Sequence, residues 1–398
     1  MQILDEETTV ATKTKLNSDY VPGMVTVLQG SDLESMGIQT VWEALSLVPG
    51  VQTSRGSQGE PFATVRGLPF PFNSGNIKIL VNSIAMSRET SAINTSALLT
   101  AVAQVERIEV IRGPGSSVYG NFAFLGLVNI ITRKSDKGAF VATSGGDHRQ
   151  AGARAAVSEG DLKFSANVTG WTSDRGDGPI DQVAAEDRVS AVLSLGIRES
   201  QLSYQIFDRN YSSSQTLDER NQALDLRHHQ PLSDRFSADV EANYLLSDAS
   251  TPGGAFKGSL SQGEVDLNLT TDRTKLLFAV SGTDANIDRA VLGPPGRPQD
   301  GVEIIDSGWQ AWSVSTQGQF DVREKLTATV GIRYDSREDI NARRTTPRLA
   351  LVWRAGPSHV IKAQYAEGFR AATFFELFAR TREGHMGACG ILSLSVTN

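Results

Sequence analysis

The chain has 398 residues with a formal net charge of −7, and 39% of its residues are hydrophobic. An acidic balance without a basic, aromatic-interleaved patch argues against a nucleic-acid partner, and no run of about 18 apolar residues offers a transmembrane helix. The single Cys389 excludes an internal disulfide and a cysteine-built zinc site. None of this excludes a membrane barrel, whose strands bury only alternate side chains in lipid.

At the N-terminus, Met1-Gln2-Ile3-Leu4 runs at once into Asp5, Glu6 and Glu7, without the basic region or apolar core of a secretory signal. That predicts either a processed or truncated form or a chain that is not exported. Residues 5–15 are polar and threonine-rich without helical periodicity, which predicts an unstructured or extended leader. Val25, Val27 and Leu28 then predict a short strand. Ser31 to Glu34 matches a capping box with Gly37 as the stop, and Thr40 to Glu43 matches a second. The second helix places Val41, Leu45 and Val48 on one face and ends at Pro49-Gly50.

Residues 63–67 and 77–81 predict two further strands. Asn82-Ser83 follows the second, and because Ser tolerates left-handed backbone less well than Asn, a type I′ hairpin is not predicted there. The stretches 55–62 and 68–76 are rich in Gly, Pro, Phe and Asn and read as loops. Residues 105–134 (VERIEVIRGPGSSVYGNFAFLGLVNIITRK) read as strand, glycine-rich turn, strand. The glycines are not spaced as G-x-G-x-x-G, no Gly-Lys-Ser/Thr follows, and Ser116 and Ser117 lie outside any G-x-S-x-G elbow. Nucleotide binding and a serine nucleophile are thereby set aside.

After Lys134 the texture changes to period-2 alternation. Leu162, Phe164, Ala166 and Val168 alternate with Lys163, Ser165, Asn167 and Thr169, and the pattern recurs through Phe236–Tyr244, Val265–Leu269, Leu326–Tyr334 and Ile361–Tyr365. A soluble sandwich also alternates, but a dry core would not oppose a greasy face to one carrying Asp239 and Glu241, as a water-facing lumen would. Tyr244, Tyr334, Trp353 and Tyr365 toward strand ends suit interfacial girdles. Residues 231–234, 321–325 and 356–358 suit short turns, whereas 247–263 and 282–308 predict long polar loops. His228-His229 reads as part of a solvated polar connection, since no third ligand is spaced nearby.

The stretch Val105–Val110, Arg112–Pro114, Ser116, Tyr119, Gly120, Asn129, Ile130 and Thr132 resembles the end of the plug domain of TonB-dependent outer-membrane receptors. Further points of similarity are Ala44-Leu45 to Pro49-Gly50-Val51, Arg66-Gly67, Ile79-Leu80-Val81, and Gly368-Phe369-Arg370-Ala371 with Glu376-Leu377. Departures are Phe122, Phe124 and Leu125 in a segment the family keeps small, Asn82-Ser83 for Asp-Gly, and Ala372 for Pro. The resemblance implies a mainly β fold: a small α+β plug domain inside an antiparallel transmembrane β-barrel. It divides the chain into a leader (1–15), a plug (16–134) and a barrel (135–398). Family barrels close at about 22 strands, whereas residues 135–398 suffice for about a dozen, so the barrel is predicted to be incomplete, with about half its strands. Residues 382–398 resemble nothing in the family.

What the resemblance implies for function is an importer without catalytic, metal or covalent-cofactor site. A scarce nutrient complex of the iron-siderophore or cobalamin class would cross the outer membrane of a Gram-negative bacterium, with outer-membrane lipid as surroundings. A TonB-type inner-membrane transducer would capture the box-like segment Glu7, Thr8, Thr9, Val10, Ala11 and Thr12 as an added strand. Ligand contacts fall to the plug-apex loops at Arg55, Gln58, Phe62, Phe70, Phe72 and Asn73. Arg66 and Arg112 with Glu376 are the candidate lock between plug and barrel. Three rivals stand beside it: a non-transporting truncated fragment, a soluble plug-like binding module, and a haem receptor using His385.

Overall fold

The computed structural model describes residues 7–8, 16–17, 23–55, 61–65, 76–86, 95–135, 137–144, 148–173, 185–212, 216–251, 254–292, 302–356, 359–373, 377, 380–381, 384–385 and 392–397. A five-stranded mixed sheet forms the first unit, in the order Met24–Gln29, Val105–Arg112, Gly126–Thr132, Ile77–Val81, Ile84–Ala85. Ile77–Val81 pairs in parallel with Gly126–Thr132, and the other pairings described in this sheet are antiparallel. Helices Gly30–Ser35 and Val41–Leu45 cover one face, where Leu33, Val41, Leu45, Val48, Ile108 and Ile130 form the core.

The second helix starts as its sequence predicts. Thr40 Oγ1 accepts from Glu43 N at 3.3 Å, and Glu43 Oε2 accepts from Gln39 N at 2.9 Å. The first does not: the helix begins at Gly30 with Gln29 as its unbonded cap, one turn position ahead of the box at Ser31. Close packing sets this start, because a Cβ at Gly30 would lie 2.0 Å from the Val105 carbonyl oxygen. Gly37, with φ +77°, closes the helix.

The Asn82-Ser83 turn corrects another expectation. Leu80 pairs with Ala85 and Val81 with Ile84, so two residues close the hairpin, and both carry positive φ (51° and 69°), as a type I′ turn requires. Tertiary hydrogen bonds outweigh the propensity of Ser. Asn82 Nδ2 donates to Thr132 Oγ1 (3.0 Å) and Asn82 Oδ1 accepts from Thr132 N (3.0 Å), while Ser83 N donates to Asn129 Oδ1 (2.9 Å).

The second unit is a fourteen-stranded antiparallel sheet in which sequence neighbours pair from Gly138–Ser144 to His359–Arg370, followed by Leu392–Thr397. Among the described residues no pairing joins its two edge strands. Its faces are chemically inverted relative to a soluble core. In Leu162–Ser173, Leu162 and Val168 are each 44% exposed, whereas Asn167 is 1% exposed and Ser165 and Thr169 are also buried. Phe236, Val240, Val265, Leu267, Phe278, Val330, Ile332, Leu349 and Leu351 continue the exposed apolar face. Gln205, Asn221, Asp225, Ser313 and Arg333 continue the buried polar one. An apolar exterior around a polar interior is what a lipid-facing sheet needs, and no helix among the described residues is long and apolar enough to cross a membrane.

Three expectations change here. His228 and His229 lie within the strand Thr216–Pro231, not in a connection: His228 Nδ1 meets Ser200 Oγ at 2.8 Å and His229 Nδ1 meets Asp239 Oδ1 at 2.6 Å. The predicted long loops are largely strand, since Gly254–Thr270, Thr274–Leu292 and Val302–Arg323 run 17, 19 and 22 residues. Crossing a bilayer takes about 9 to 11 residues, so the outer parts of these strands have no lipid to face and lose the alternation that betrays a strand. Leu392–Thr397 also pairs with His359–Arg370, so the tail joins the sheet.

Replacing Asn82 with Ala removes both Thr132 bonds at a left-handed position. The expected loss is about 2 kcal/mol, read as a lower denaturant midpoint of the full chain folded in detergent. Asn82→Gly, which keeps the backbone free to adopt φ 51°, should recover part of it.

Candidate functional site

Connections in the large sheet differ at its two ends. At one end they comprise residues 160–161, 198–199, 232–235, 271–273, 324–325 and 357–358; the other end carries the longer 174–184 and 293–301. The small sheet lies against the inner polar face, and its glycine-rich turn, residues 113–125, points to the end with the longer connections.

That turn folds on itself before it meets the wall. Gly113 N donates to the Leu125 carbonyl and Gly115 N to the Ala123 carbonyl, each at 2.8 Å, and Ser116–Tyr119 forms one helical turn between them. Gly120 leaves it with φ +66°, and a Cβ there would sit 2.8 Å from Arg333 Nη2. The wall then grips the turn. Ser116 Oγ accepts from Phe369 N (3.1 Å), with the Phe369 carbonyl 3.3 Å from the same hydroxyl, and Asn121 Oδ1 accepts from Ala371 N (2.8 Å). Arg333 Nη1 donates to the Val118 carbonyl at 3.3 Å. Gly368 permits this approach, since a Cβ there would lie 2.8 Å from the Phe124 carbonyl oxygen.

Elsewhere the wall holds the plug by longer side chains. Gln205 donates to the Val81 carbonyl, Arg154 to the Ala103 carbonyl, Asn167 to the Arg133 carbonyl and Ser190 to Gln104 Oε1. Phe207, Ala223 and Leu245 from the wall complete the plug's apolar core.

Above the turn opens a cleft continuous with solvent. The plug contributes Lys78, Tyr119, Asn121 and Phe122; the wall contributes Trp309, Arg333, Asp335, Arg337, Arg344 and Phe369. Arg333 pairs with Asp335 at 2.9 Å and Arg337 with Asp339 at 2.7 Å, and the Arg337 guanidinium lies 4.4 Å from the centre of the Trp309 ring. Arg344 pairs with Glu367 at 2.9 Å, and Lys78 Nζ donates to the Tyr119 carbonyl at 2.6 Å. Four cations thus line the space, and Asp335, Asp339 and Glu367 pair with three of them. Burial, aided by the Glu109 carboxylate, pushes the Tyr119 phenol above its ordinary pKa, so it stays a hydrogen-bond donor. Cations and aromatic faces together suit an anionic guest with flat rings.

The residues singled out from sequence distribute unevenly. Phe62 is half-buried, and its carbonyl accepts from Trp42 Nε1. Arg55 pairs through its backbone with Pro61. Arg112 donates to the Pro49 carbonyl at 2.8 Å, a bond within the plug. Glu7 and Thr8 pair in register with Asn17 and Leu16. Gln58, Arg66, Phe70, Phe72, Asn73, Glu376 and residues 9–12 lie outside the described residues, as do the side chains of Arg55 and His385. The cavity arginines escaped the sequence reading, although Arg333, Asp335 and Arg337 repeat at period 2 on the polar face of an alternating strand.

A mixed-sheet plug held by the polar face of a lipid-facing antiparallel sheet defines a plug-and-barrel membrane receptor. Comparison identifies which. The family model for the TonB-dependent receptor plug domain matches residues 18–127, and that for the TonB-dependent receptor-like β-barrel matches residues 137–397. The chain belongs to the TonB-dependent receptor family, a family of receptors and transporters. The barrel match includes the tail that resembled nothing in the family from sequence. Similar curated proteins are the vitamin B12 transporter BtuB of Vibrio vulnificus, 27% identical over 37% of this chain and 25% of that protein, and the iron-regulated outer membrane virulence protein of Vibrio cholerae, 34% identical over 29% and 18%. The siderophore receptor PirA of Pseudomonas aeruginosa superposes with a TM-score of 0.69 at 20% identity, covering 88% of this chain and 63% of that one. The matched part of the chain thus spans a quarter or less of the length of these curated relatives, and the barrel is partial.

Ser116→Ala strands the buried Phe369 N–H without an acceptor, a change of about 1 to 3 kcal/mol. Hydrogen exchange read by mass spectrometry should show amides of residues 113–125 and of His359–Arg370 exchanging at least tenfold faster, roughly the 1.4 kcal/mol step. Amides of Gly126–Thr132 should be unchanged.

Proposed function

We propose that this chain belongs to an outer-membrane receptor that takes up an iron-siderophore complex and draws energy from a TonB-type partner. The observation that carries this reading is the cavity above residues 113–125, where Lys78, Arg333, Arg337 and Arg344 converge with Tyr119, Phe122 and Trp309. A ferric complex with anionic aryl ligands matches that lining in charge and shape. Vitamin B12, the cargo in the name of the Vibrio vulnificus relative, offers less negative charge to these arginines. The proposal places the protein in the outer membrane of a Gram-negative bacterium.

In sequence, residues 66–75 precede Asn76, whose carbonyl accepts from Leu125 N, and residues 56–60 separate the paired strands Val51–Arg55 and Pro61–Val65. Gln58, Phe70, Phe72 and Asn73 are accordingly proposed as further ligand contacts, with Arg55 and Phe62 at the base. Arg66 and Glu376 remain proposed partners in a lock between plug and barrel. Residues Glu7 to Thr12 are proposed as the segment that pairs with the energy transducer by strand addition.

Two measurements test this. The full chain in detergent should bind a ferric catecholate siderophore, followed by quenching of tryptophan fluorescence, with cyanocobalamin bound at least tenfold more weakly. Arg337→Ala should weaken the ferric complex at least tenfold; equal binding of both cargoes, or no effect of the variant, would reject the assignment. In cells carrying the protein, Val10→Pro should abolish uptake while leaving surface binding intact, because Pro cannot donate to an added strand.

A further inference from the structure

Met24–Gln29 is an edge strand of the plug sheet. Among the described residues it pairs on one side, with Val105–Arg112, from Met24 opposite Arg112 to Gln29 opposite Arg107. None of its residues is buried, whereas most of Val105–Arg112 and of Gly126–Thr132 is. Its apolar hold is slight: Val25 packs on Leu80, Ile111 and Leu127, and Leu28 on the main core.

The direction of the strand matters as much as its place. Met24, opposite Arg112, stands beside the docking turn, and the chain runs from there toward the end with the short connections. It enters at Gly23, where φ is +117° and a Cβ would lie 3.2 Å from Gln364 Oε1 and 4.0 Å from Arg348 Nη2 of the wall. A transducer on the inner side of the membrane that holds residues 7–12 therefore draws Met24 back along its own strand. The load then falls on one register pair at a time, beginning with Met24 and Arg112. Bonds loaded together resist jointly, whereas bonds taken in succession each yield at the strength of one.

The rest of the plug is held otherwise. Val105–Arg112 has a neighbour on both sides, and the wall grips residues 113–125 through Phe369, Ala371 and Arg333. The next anchor along the chain is at Gln39, whose carbonyl accepts from Val102 N at 2.9 Å, and Val41 N donates to the Thr100 carbonyl at 3.0 Å. We propose that Met24–Gln29 yields first under the transducer's pull, peeling from Met24 while the docking turn stays on the wall. The helix Gly30–Ser35 follows, and the opening stops at Gln39. The plug thus opens along one edge instead of leaving as a block. The gap lies beside Ala342–Gly356 and His359–Arg370, the strands that carry Arg344 and Phe369 of the cleft, and gives its guest a way past the plug. The direction of pull rests on the role proposed for residues 7–12.

Pulling the full chain by its N-terminus, in a supported bilayer and from the side of the short connections, tests the order directly. The first step should release no more than Met24 to Ile38, roughly 50 Å when drawn out. A first step several times longer, with the whole plug leaving at once, would overturn the proposal. Thr26→Cys with Val110→Cys, directly opposite in register, closes a disulfide across the strand pair in a Cys389→Ser background. Oxidised, that chain should lose the short step and yield at a force at least twofold higher. Ser116→Ala, which loosens the docking turn, should leave the short step unchanged; the reverse pattern defeats peeling. In cells, the oxidised lock should cut uptake of a ferric catecholate at least tenfold with surface binding intact, and a reductant should restore it. Equal uptake by locked and unlocked chains would also overturn the proposal. An unaltered chain that imports nothing defeats the transport reading instead, and the force curve then decides the order of yielding alone. That curve, recorded on the unaltered chain, also decides should the double variant not fold.

Discussion

A sheet that shows an apolar face to lipid must turn its polar side chains inward, and those side chains then need hydrogen-bond partners away from bulk water. In this chain the plug's backbone supplies many of them. Gln205, Arg154, Asn167 and Arg333 end on the carbonyls of Val81, Ala103, Arg133 and Val118. Backbone carbonyls at strand ends and turns are acceptors that the plug's own ladders leave spare, so plug and wall satisfy each other. Neither unit is chemically complete alone: the wall would keep buried arginines and amides unpaired, and the plug core would lose Phe207, Ala223 and Leu245.

The same dependence explains why residues 113–125 carry so much of the structure. Their glycines and one-turn helix aim Ser116 and Asn121 at the backbone of residues 369–371, and Gly120 and Gly368 remove the Cβ atoms that would hold the surfaces apart. Tyr119, Asn121 and Phe122 also form the floor of the large cavity. Arg333 belongs to both arrangements, since it lines the cavity and donates to the Val118 carbonyl. Any guest that draws the Arg333 guanidinium toward itself therefore acts on a plug contact through one side chain.

How much of this was legible beforehand depended on whether local pattern and tertiary demand agreed. Alternation at Leu162–Val168 and Phe236–Tyr244 declared the strands because lipid imposes apolar residues on one face. Beyond the lipid, in Gly254–Thr270 and Val302–Arg323, that imposition stops and strand looked like loop. Asn82-Ser83 misled for the opposite reason: local propensity spoke against positive φ, and hydrogen bonds to Thr132 and Asn129, some fifty residues away, overrode it. The family motifs around Arg112 and Gly368 located the docking turn, but the cavity arginines sit on strands whose neighbours are fixed only by register. Sequence offered their period-2 spacing and no indication of what they face.

The two sides of the plug are held by different chemistry. Toward Leu326–Arg337 and His359–Arg370 the attachment is short, made through glycines, a hydroxyl and backbone amides with little freedom. Toward His148–Glu159 through Ser200–Ser212 it runs through long side chains that reach across a gap, as Arg154 and Gln205 do. Neither side satisfies every polar atom: Ser117 Oγ in the docking turn and the Nη atoms of Arg209 on the far side are both buried without a hydrogen-bond partner. A wall of alternating inward residues can match the plug atom for atom only where both surfaces are small. Where both are long and charged, strand register fixes the neighbours and leaves some polar atoms over, as it does the Nη atoms of Arg209.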